Sequence, residues 1–277
     1  MKTNIFHKFN SIIELSNYLD NATTQPAFAD HVDKYGSGKP EKREDWYGTP
    51  NYQFSRDLLL YGDPNTAARV NAAGLRQTIA GLQGRAPRTQ QFTDIVGGAP
   101  CVPNYLVGRP DSMYNTRRPI TTHPVVNVVY NCSASAGVSP EQITAAAAAV
   151  LGACVILENN GARVNLWVTE LVTESGAPDF GAVVKIKDCS QKINLRKIAY
   201  TICHPSFLRR QMFRLLEVTP NVPSSYVWGY GIPCHDNDRI TKQLNAVGVR
   251  DAVILNHKTT DTPEQIARNI AATLKRK

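Results

Sequence analysis

Three small polar residues, Asn131, Ser133 and Ser135, follow an apolar run of the sequence at alternate positions. Amide and hydroxyl oxygens are among the ligands of hard cations, so these residue types are compatible with a cation site. The same residue types are also common in turns and at helix starts, where they bind only the backbone. Both interpretations remain open at this point.

A second cluster consists of Arg209, Arg210 and Arg214 in a segment predicted to be helical. Arg210 and Arg214 are four residues apart and share one helix face, which suits contacts to phosphates or to an acidic partner helix. Phe207 and Phe213 belong to the same segment. The alternative is therefore a solvated helix face beside core aromatic residues.

The elements that position these residues follow from hydrophobic patterning. Residues 125–130 form a nearly continuous β-branched run, typical of a strand covered on both faces in a parallel sheet. A capping box at residues 139–142 starts an alanine-rich helix, which ends at the turn residues 159–161. Strands are predicted over residues 162–169 and 180–187, and the turn residues between them indicate a hairpin.

This alternation predicts an α/β fold with a doubly wound, mostly parallel sheet over residues 120–277. A small helical and irregular N-terminal region is predicted over residues 1–119. A long helix over residues 194–216 is expected to break at Pro205, and a strand is predicted over residues 225–230. Since ligands of doubly wound sheets bind beyond the carboxyl ends of the strands, a site is expected at that edge.

The order Asn131-x-Ser133-x-Ser135, between a strand and an alanine-rich helix, resembles the opening of a von Willebrand factor A domain. That family's metal site begins Asp-x-Ser-x-Ser, and one short antiparallel strand lies at the edge of its otherwise parallel sheet. The resemblance implies further metal donors from two later loops, namely Ser190, Asp188 and Asp236. Asp236 has the alternative role of capping the next helix. Because Asn131 replaces the family's aspartate, the resemblance implies a degenerate site that binds magnesium weakly or not at all.

Three other signatures are similar to a family of uncharacterised proteins of phages and prophages. They are Trp46-x-Gly48-Thr49, Gly108-x-Pro110-x-x-Met113 and His204-Pro205-Ser206-x-Leu208-Arg209-Arg210. This resemblance implies a viral origin and a location in the cytoplasm of an infected bacterial host. It implies no activity.

Composition limits the classes of function. The chain of 277 residues has a net charge of +8 and a pI near 9.2, which suits nucleic acid, anionic surfaces or acidic proteins as partners. Its six cysteines form no Cys-x-x-Cys pair, which favours buried reduced thiols over a zinc site. The sequence has no phosphate-binding loop, nucleophile elbow or His-Glu-x-x-His motif, so no enzyme is predicted. Neither a membrane span nor a signal peptide is expected.

Three functional hypotheses follow. The first is a non-enzymatic interaction module of von Willebrand A type that needs no cofactor and docks another protein, with ring-forming ATPases among the candidate partners. The second is a basic nucleic-acid-binding accessory factor in phage replication, transcription or packaging, with the arginines on phosphates. The third is a component of the virion.

Overall fold

The computed structural model of the protein describes residues 4–41, 46–70, 90–117, 124–258 and 262–275. Its strands are β1 (Ile5–Phe9), β2 (Gln90–Asp94), β3 (Ala99–Pro100), β4 (Met113–Arg117), β5 (Val125–Asn131), β6 (Arg163–Thr173), β7 (Phe180–Lys187), β8 (Ile232–Pro233) and β9 (Ala252–Asn256). Its α-helices are α1 (Ile12–Asn21), α2 (Val32–Tyr35), α3 (Tyr52–Tyr61), α4 (Pro64–Val70), α5 (Val102–Leu106), α6 (Pro140–Asn159), α7 (Leu195–Cys203), α8 (Phe213–Val218), α9 (Asn237–Ala246) and α10 (Pro263–Lys275). Two 3₁₀ helices cover Pro26–Phe28 and Ser224–Trp228, and a π-helix covers Phe207–Met212.

The main sheet contains six of these strands and is mostly parallel. Its order is β1-β7-β6-β5-β9, and the short strand β8 pairs with the end of β6. Strands β6 and β9 both run parallel to β5, whereas β7 runs antiparallel to β6. The prediction of an α/β fold with a mostly parallel sheet is therefore confirmed. The expectation that the antiparallel strand lies at the edge is wrong, because β1 pairs in parallel with its outer side.

Contacts divide the chain into two compact units. One unit combines residues 1–82 with residues 125–277, and the other covers residues 83–124. Within the second unit, β2, β4 and β3 form an antiparallel sheet in that order. The predicted boundary between residues 119 and 120 differs from this division, because β1 is a strand of the main sheet and its register runs from Ile5 against Phe180 to Phe9 against Val184.

Apolar side chains alternate between the two faces of the main sheet, as the twofold period of a strand requires. On one face, Val128 of β5 belongs to a cluster with Val150 of α6 and Ile270 of α10. On the other face, Val129 of β5 belongs to a cluster with Ile240 of α9. Helices therefore cover both faces, as predicted for a doubly wound sheet.

Local sequence signals account for the ends of α6. The Ser139 hydroxyl accepts from the Gln142 amide and the Gln142 side chain accepts from the Ser139 amide, which is the predicted capping box. At the other end, Gly161 has a φ of 90°, where a side chain would be strained. By length and composition alone α6 is apolar enough to cross a membrane, and about half of that apolar window is buried inside this fold.

The segment after β7 follows the prediction in one place and departs from it in another. The helix breaks at His204, so that α7 ends at Cys203 and the π-helix begins at Phe207. The predicted strand over residues 225–230 is wrong, because the chain there forms a 3₁₀ helix. Three successive residues, Gly229 to Gly231, then have positive φ angles, which turn the chain and allow strand pairing only at β8.

Candidate functional site

Both polar atoms of the Asn131 side chain form hydrogen bonds within the protein. Its side-chain nitrogen donates to the carbonyl of Cys234 (2.8 Å), and its oxygen accepts from the amide of Ser133 (3.1 Å). The side chain is fully buried. Asn131 therefore closes a turn and ties the end of β5 to the segment before α9, which leaves no free oxygen for a cation.

The two serines of the motif have different environments. The Ser133 hydroxyl donates to the carbonyl of Leu171 (3.2 Å) and accepts from the amide of the same residue (2.9 Å), so it fastens the loop after β5 to β6. Ser135 is exposed and lines a cleft beside this loop. Asn131 and Ser133 therefore follow the second interpretation of the motif, in which these residues bind only the backbone.

The other predicted metal donors do not reach these residues. Asp188 accepts from the amide and hydroxyl of Ser190 (3.0 and 2.8 Å) and from Lys185, and these bonds hold the pKa of its carboxyl well below the usual range. Because β7 is antiparallel to β6, the loop that carries Asp188 and Ser190 lies at the opposite edge of the sheet, where the Cys189 amide binds the Asn165 side chain. Here the prediction is wrong.

Asp236 acts as the N-cap of α9. Its carboxylate accepts from the amides of Asp238 (3.0 Å) and Arg239 (3.3 Å), as the alternative prediction stated. The five predicted donors are therefore dispersed, and their arrangement does not fit Mg²⁺, which requires converging oxygens. In the part of the chain that the structure describes, no three His, Cys, Asp or Glu residues lie close enough to hold a metal ion.

The three arginines are bonded internally. The Arg210 guanidinium donates to the backbone carbonyls of Ser37 (2.8 Å), Lys39 (2.9 Å) and Thr49 (2.6 Å), and also to the Thr49 hydroxyl (2.8 Å). It lies over the ring of Tyr47, 4.3 Å from the centroid. With no exposed surface left, Arg210 fastens the N-terminal segment to the π-helix.

Arg209 and Arg214 bind the same N-terminal region. Arg209 donates to the carbonyls of Trp46 and Val138 and lies over the Trp46 ring at 4.4 Å from the centroid. Arg214 donates to the Thr24 hydroxyl (2.6 Å). The expectation of an exposed arginine face for phosphates is wrong, because residues of the N-terminal segment cover this helix.

The same contacts explain why two sequence signatures occur together. Gly48 has a φ of +73°, and a Cβ atom there would lie 2.8 Å from Pro205 and 2.9 Å from His204. Only glycine gives the backbone both the angle and the space. The Trp46-x-Gly48-Thr49 and His204-to-Arg210 signatures thus belong to two segments that pack against each other.

A cleft of about 470 Å³ lies beyond the carboxyl ends of β5 and β6. Six of its lining side chains are aromatic and come from four separate places in the sequence: His31 and Tyr35, Trp46, Phe213, and Trp228 with Tyr230. The rings of Phe213 and Tyr230 are stacked, with centroids 3.9 Å apart and planes within 6°. The cleft occupies the edge where a doubly wound sheet places its ligands.

Large apolar side chains on the rim of the cleft are in contact with solvent. Tyr35 is 60% exposed, Ile232 is 61% exposed and Trp228 is 83% exposed. Each of these residues also lines the cleft. Ser135 and Arg209 are the predicted site residues that contribute to the same wall, together with Ser133.

One carboxyl, that of Glu170, lines the interior of the cleft. Glu170 lies on the same face of β6 as Val168 and Val172 and is only 3% exposed. Within the described residues, no group donates a hydrogen bond to it and no cation pairs with it. Burial raises the pKa of Glu170 to about 8, and burial together with this carboxyl raises the pKa of the Cys132 thiol.

A second buried glutamate, Glu217, has the hydrogen-bond partners that Glu170 lacks. Glu217 accepts from the amide and hydroxyl of Ser37 and from the Tyr230 hydroxyl (2.7 Å), and Arg214 lies 3.8 Å away. Buried carboxyl groups in proteins ordinarily have such partners. The sequence prediction missed Glu170 because it ended the strand at Thr169. A glutamate inside the run Trp167-Val168-Thr169-Glu170-Leu171-Val172 was the available signal.

Comparison with known protein families matches residues 2–276 to a model described as Domain of unknown function (DUF7192). No curated protein and no solved structure matches the chain significantly. The geometry of the cleft is therefore the basis for inferring a function.

Proposed function

Since the chain belongs to the DUF7192 family, whose function is unknown, we propose from its own geometry that it is a non-enzymatic protein-interaction module that receives a partner segment in the aromatic cleft. The observation that carries this proposal is the exposed apolar rim. Tyr35, Trp228 and Ile232 stand around a concave site on the main unit and remain more than half exposed.

Side chains of this kind are characteristic of protein interfaces. Tyrosine and tryptophan are enriched among the residues that dominate binding energy, because they bury a large area with few rotatable bonds. Exposed apolar side chains gathered around a concave site also mark interaction surfaces on soluble proteins. Burying Trp228 and Ile232 under a partner would remove apolar area from water, which supplies about 25 cal/mol per Å².

The proposal includes a module of von Willebrand A type of phage origin. The von Willebrand A type is supported by the parallel strands β5, β6 and β9 and by the position of the cleft at their carboxyl ends, whereas the phage origin rests on the three sequence signatures alone. In this chain the binding surface is aromatic and does not depend on a metal, because Asn131 and Ser133 are engaged by backbone groups. Partner binding is therefore expected to continue in the presence of EDTA.

The nucleic-acid hypothesis has less support. Arg209 and Arg210 were its expected phosphate contacts, and both guanidinium groups are buried against backbone carbonyls. A net charge of +8 remains, but charge alone does not identify a surface.

Site-specific photocrosslinking tests the proposed surface. The photoreactive amino acid p-benzoylphenylalanine replaces Trp228 or Ile232 in one pair of variants and Ile13 in a control. Ile13 is a matched control because it is 54% exposed, close to the 61% of Ile232, and lies on α1, outside the cleft. The variants are expressed from the natural locus, irradiated in cells and examined by mass spectrometry.

We expect a single protein to crosslink at positions 228 and 232, with one copy of it for each copy of the chain, and no protein to crosslink at position 13. The identity of this protein would also test the ring-forming ATPases and the virion proteins as partners. Crosslinking of the same protein with equal yield from position 13, or no crosslink from the rim, would refute the proposed surface.

A further inference from the structure

We propose that the cleft recognises a lysine side chain of the partner, with the lysine ammonium bound at Glu170 and its methylene groups against the aromatic walls. This inference rests on the proposed function and names the chemistry that the same cleft selects. It begins from the carboxyl of Glu170, to which no described residue donates a hydrogen bond.

Glu170 requires a donor that the described chain does not supply. The residue is only 3% exposed, and it lines the cleft from β6. Burying a carboxyl without a hydrogen bond or a cation is unfavourable, whereas a ligand that brings a cation removes that penalty. By comparison, Glu217 obtains its donors from Ser37 and Tyr230 and needs no ligand.

The aromatic walls also favour a cation. Trp46, Trp228 and Tyr230 line the same cleft as Glu170, and the faces of such rings attract ammonium groups within about 6 Å. The protein already uses this interaction beside the cleft, where the Arg209 guanidinium lies 4.4 Å from the centroid of Trp46. Val172 and Leu208 add apolar surface for a methylene chain.

The donor set distinguishes lysine from other cations. A metal ion needs several converging oxygen or nitrogen ligands, and the cleft offers a single carboxylate among aromatic groups. The planar fork of a guanidinium pairs with a carboxylate through two parallel hydrogen bonds, but its other three donors then need acceptors that a single carboxylate does not provide. An ammonium with three donors on a flexible four-carbon stem is the better match.

The test uses small probes and the indole signals of the three tryptophans. N-acetyl-lysine methylamide is titrated into the full chain and compared with its norleucine and arginine counterparts, while ¹H–¹⁵N spectra are recorded. The lysine probe should shift the signals of Trp46 and Trp228, which line the cleft, and leave Trp167 unchanged on the opposite face of the sheet. We expect it to bind at least about tenfold more tightly than the norleucine probe, which lacks the charge.

Two variants separate the role of the carboxyl from general electrostatics. Glu170→Gln keeps the shape and should reduce lysine binding to the level of the norleucine probe. Glu174→Gln removes the same charge just beyond β6, outside the cleft lining, and should leave binding unchanged. Equal binding of the lysine and norleucine probes, undiminished binding by the Glu170 variant, or tighter binding of n-butylammonium than of the lysine amide would overturn the proposal.

The pH dependence provides an independent readout. Because the carboxyl must lose its proton to pair with an ammonium, lysine affinity should rise between pH 6 and about 8 and then level off. The other titratable and charged groups that line the cleft are His31 and Tyr35 from the N-terminal segment, Arg209 from the π-helix, and Tyr230, and the Cys132 thiol at the end of β5 is close enough to be affected by the Glu170 carboxyl. Burial lowers the pKa of His31 below its ordinary value, away from that of Glu170.

The two proposals can fail separately. If the rim positions crosslink one partner while the lysine and norleucine probes bind equally, the interaction surface stands and the lysine assignment is refuted. If the probes discriminate as expected but positions 228 and 232 capture no protein, the partner-docking function is refuted.

Discussion

Replacing Asn131 by aspartate tests whether the motif is a metal site or a turn. This substitution restores the leading residue of the von Willebrand A motif. Aspartate has no amide hydrogens, so the buried carbonyl of Cys234 would lose its donor at 2.8 Å and face a carboxylate oxygen instead. The bond from Ser133 to the remaining oxygen would survive.

The expected magnitude follows from these two effects. An unsatisfied buried carbonyl costs about 1–3 kcal/mol, and an uncompensated buried charge raises the total to about 3–5 kcal/mol at neutral pH. The native pKa of the new aspartate would be raised above its unfolded value by burial. The variant is therefore expected to approach the wild type at acidic pH, where the protonated carboxyl can donate to Cys234, and to lose stability as the pH rises.

Urea unfolding followed by tryptophan fluorescence measures the difference at each pH. Asn127→Asp is the matched control, since Asn127 lies on the same strand and donates to the carbonyl of Arg250 at the same distance of 2.8 Å, but this bond is exposed to solvent and the residue is only partly buried. It should lose less than about 1 kcal/mol. If Asn131→Asp is as stable as the wild type, or if about 10 mM Mg²⁺ restores its stability, the turn interpretation is refuted and a metal site is supported.

Three further predictions test the site and its supports. Burial raises the pKa of Glu170 from 4.5 to about 8, so the native state holds this proton more tightly than the unfolded chain. The contribution of the protonated carboxyl to the free energy of unfolding is complete below pH 4.5. It is lost as the pH rises to 8, by as much as about 5 kcal/mol. Urea unfolding of the wild type and Glu170→Gln should therefore differ progressively over this range, and parallel curves would contradict the burial of the charge. Arg210→Lys removes most of the hydrogen bonds to Ser37, Lys39 and Thr49 and should lower the free energy of unfolding in urea by about 3 kcal/mol. A loss below about 1 kcal/mol would contradict the packing of the N-terminal segment on this arginine. Gly48→Ala should lower the melting temperature measured by circular dichroism through a loss of at least about 2 kcal/mol, because its Cβ would lie 2.8 Å from Pro205 at a positive φ; an unchanged melting temperature would refute the close contact.

The helix boundaries were the most predictable part of the fold, because they depend on neighbouring residues. The capping box at Ser139 and Gln142 and the glycine at position 161 place α6 without reference to the rest of the chain. The same logic at Thr262 and Gln265 places the start of α10, where each residue bonds to the backbone of the other.

Strand assignments that depend on distant residues could not be predicted in the same way. β1 is a strand because it pairs with β7, about 175 residues later in the sequence, and five residues alone do not carry that information. Conversely, residues 225–230 have the composition of a strand, but the positive φ angles from Gly229 to Gly231 end any extended run. Tertiary context decided both cases.

The candidate site likewise combines features that neighbouring residues predict with features that depend on distant ones. The sequence placed the candidate site at the carboxyl edge of the parallel strands, and the aromatic cleft lies at that edge. It also placed Asp188 and Ser190 there by the layout of the von Willebrand A family, whereas the antiparallel strand β7 brings their loop to the opposite edge. Glu170 was missed because a carboxyl inside a strand has no local motif, and its isolation depends on what the folded chain places around it.

The buried polar network gives the cleft fixed walls, and this bears on how it binds. Tyr230 donates to Glu217, Glu217 also binds Ser37, and Arg210 donates to the Ser37 carbonyl, so Tyr230 of the cleft wall is joined by hydrogen bonds to distant parts of the chain. Walls that are already ordered lose little entropy when a ligand enters, which raises affinity without a further contact. Glu217 is fully buried and does not line the cleft, yet Glu217→Gln should weaken binding of the lysine probe by loosening Tyr230. A variant that lost stability in urea but bound the probe with unchanged affinity would show that the walls are held by packing, such as the stacking of Phe213 on Tyr230, and not by this network.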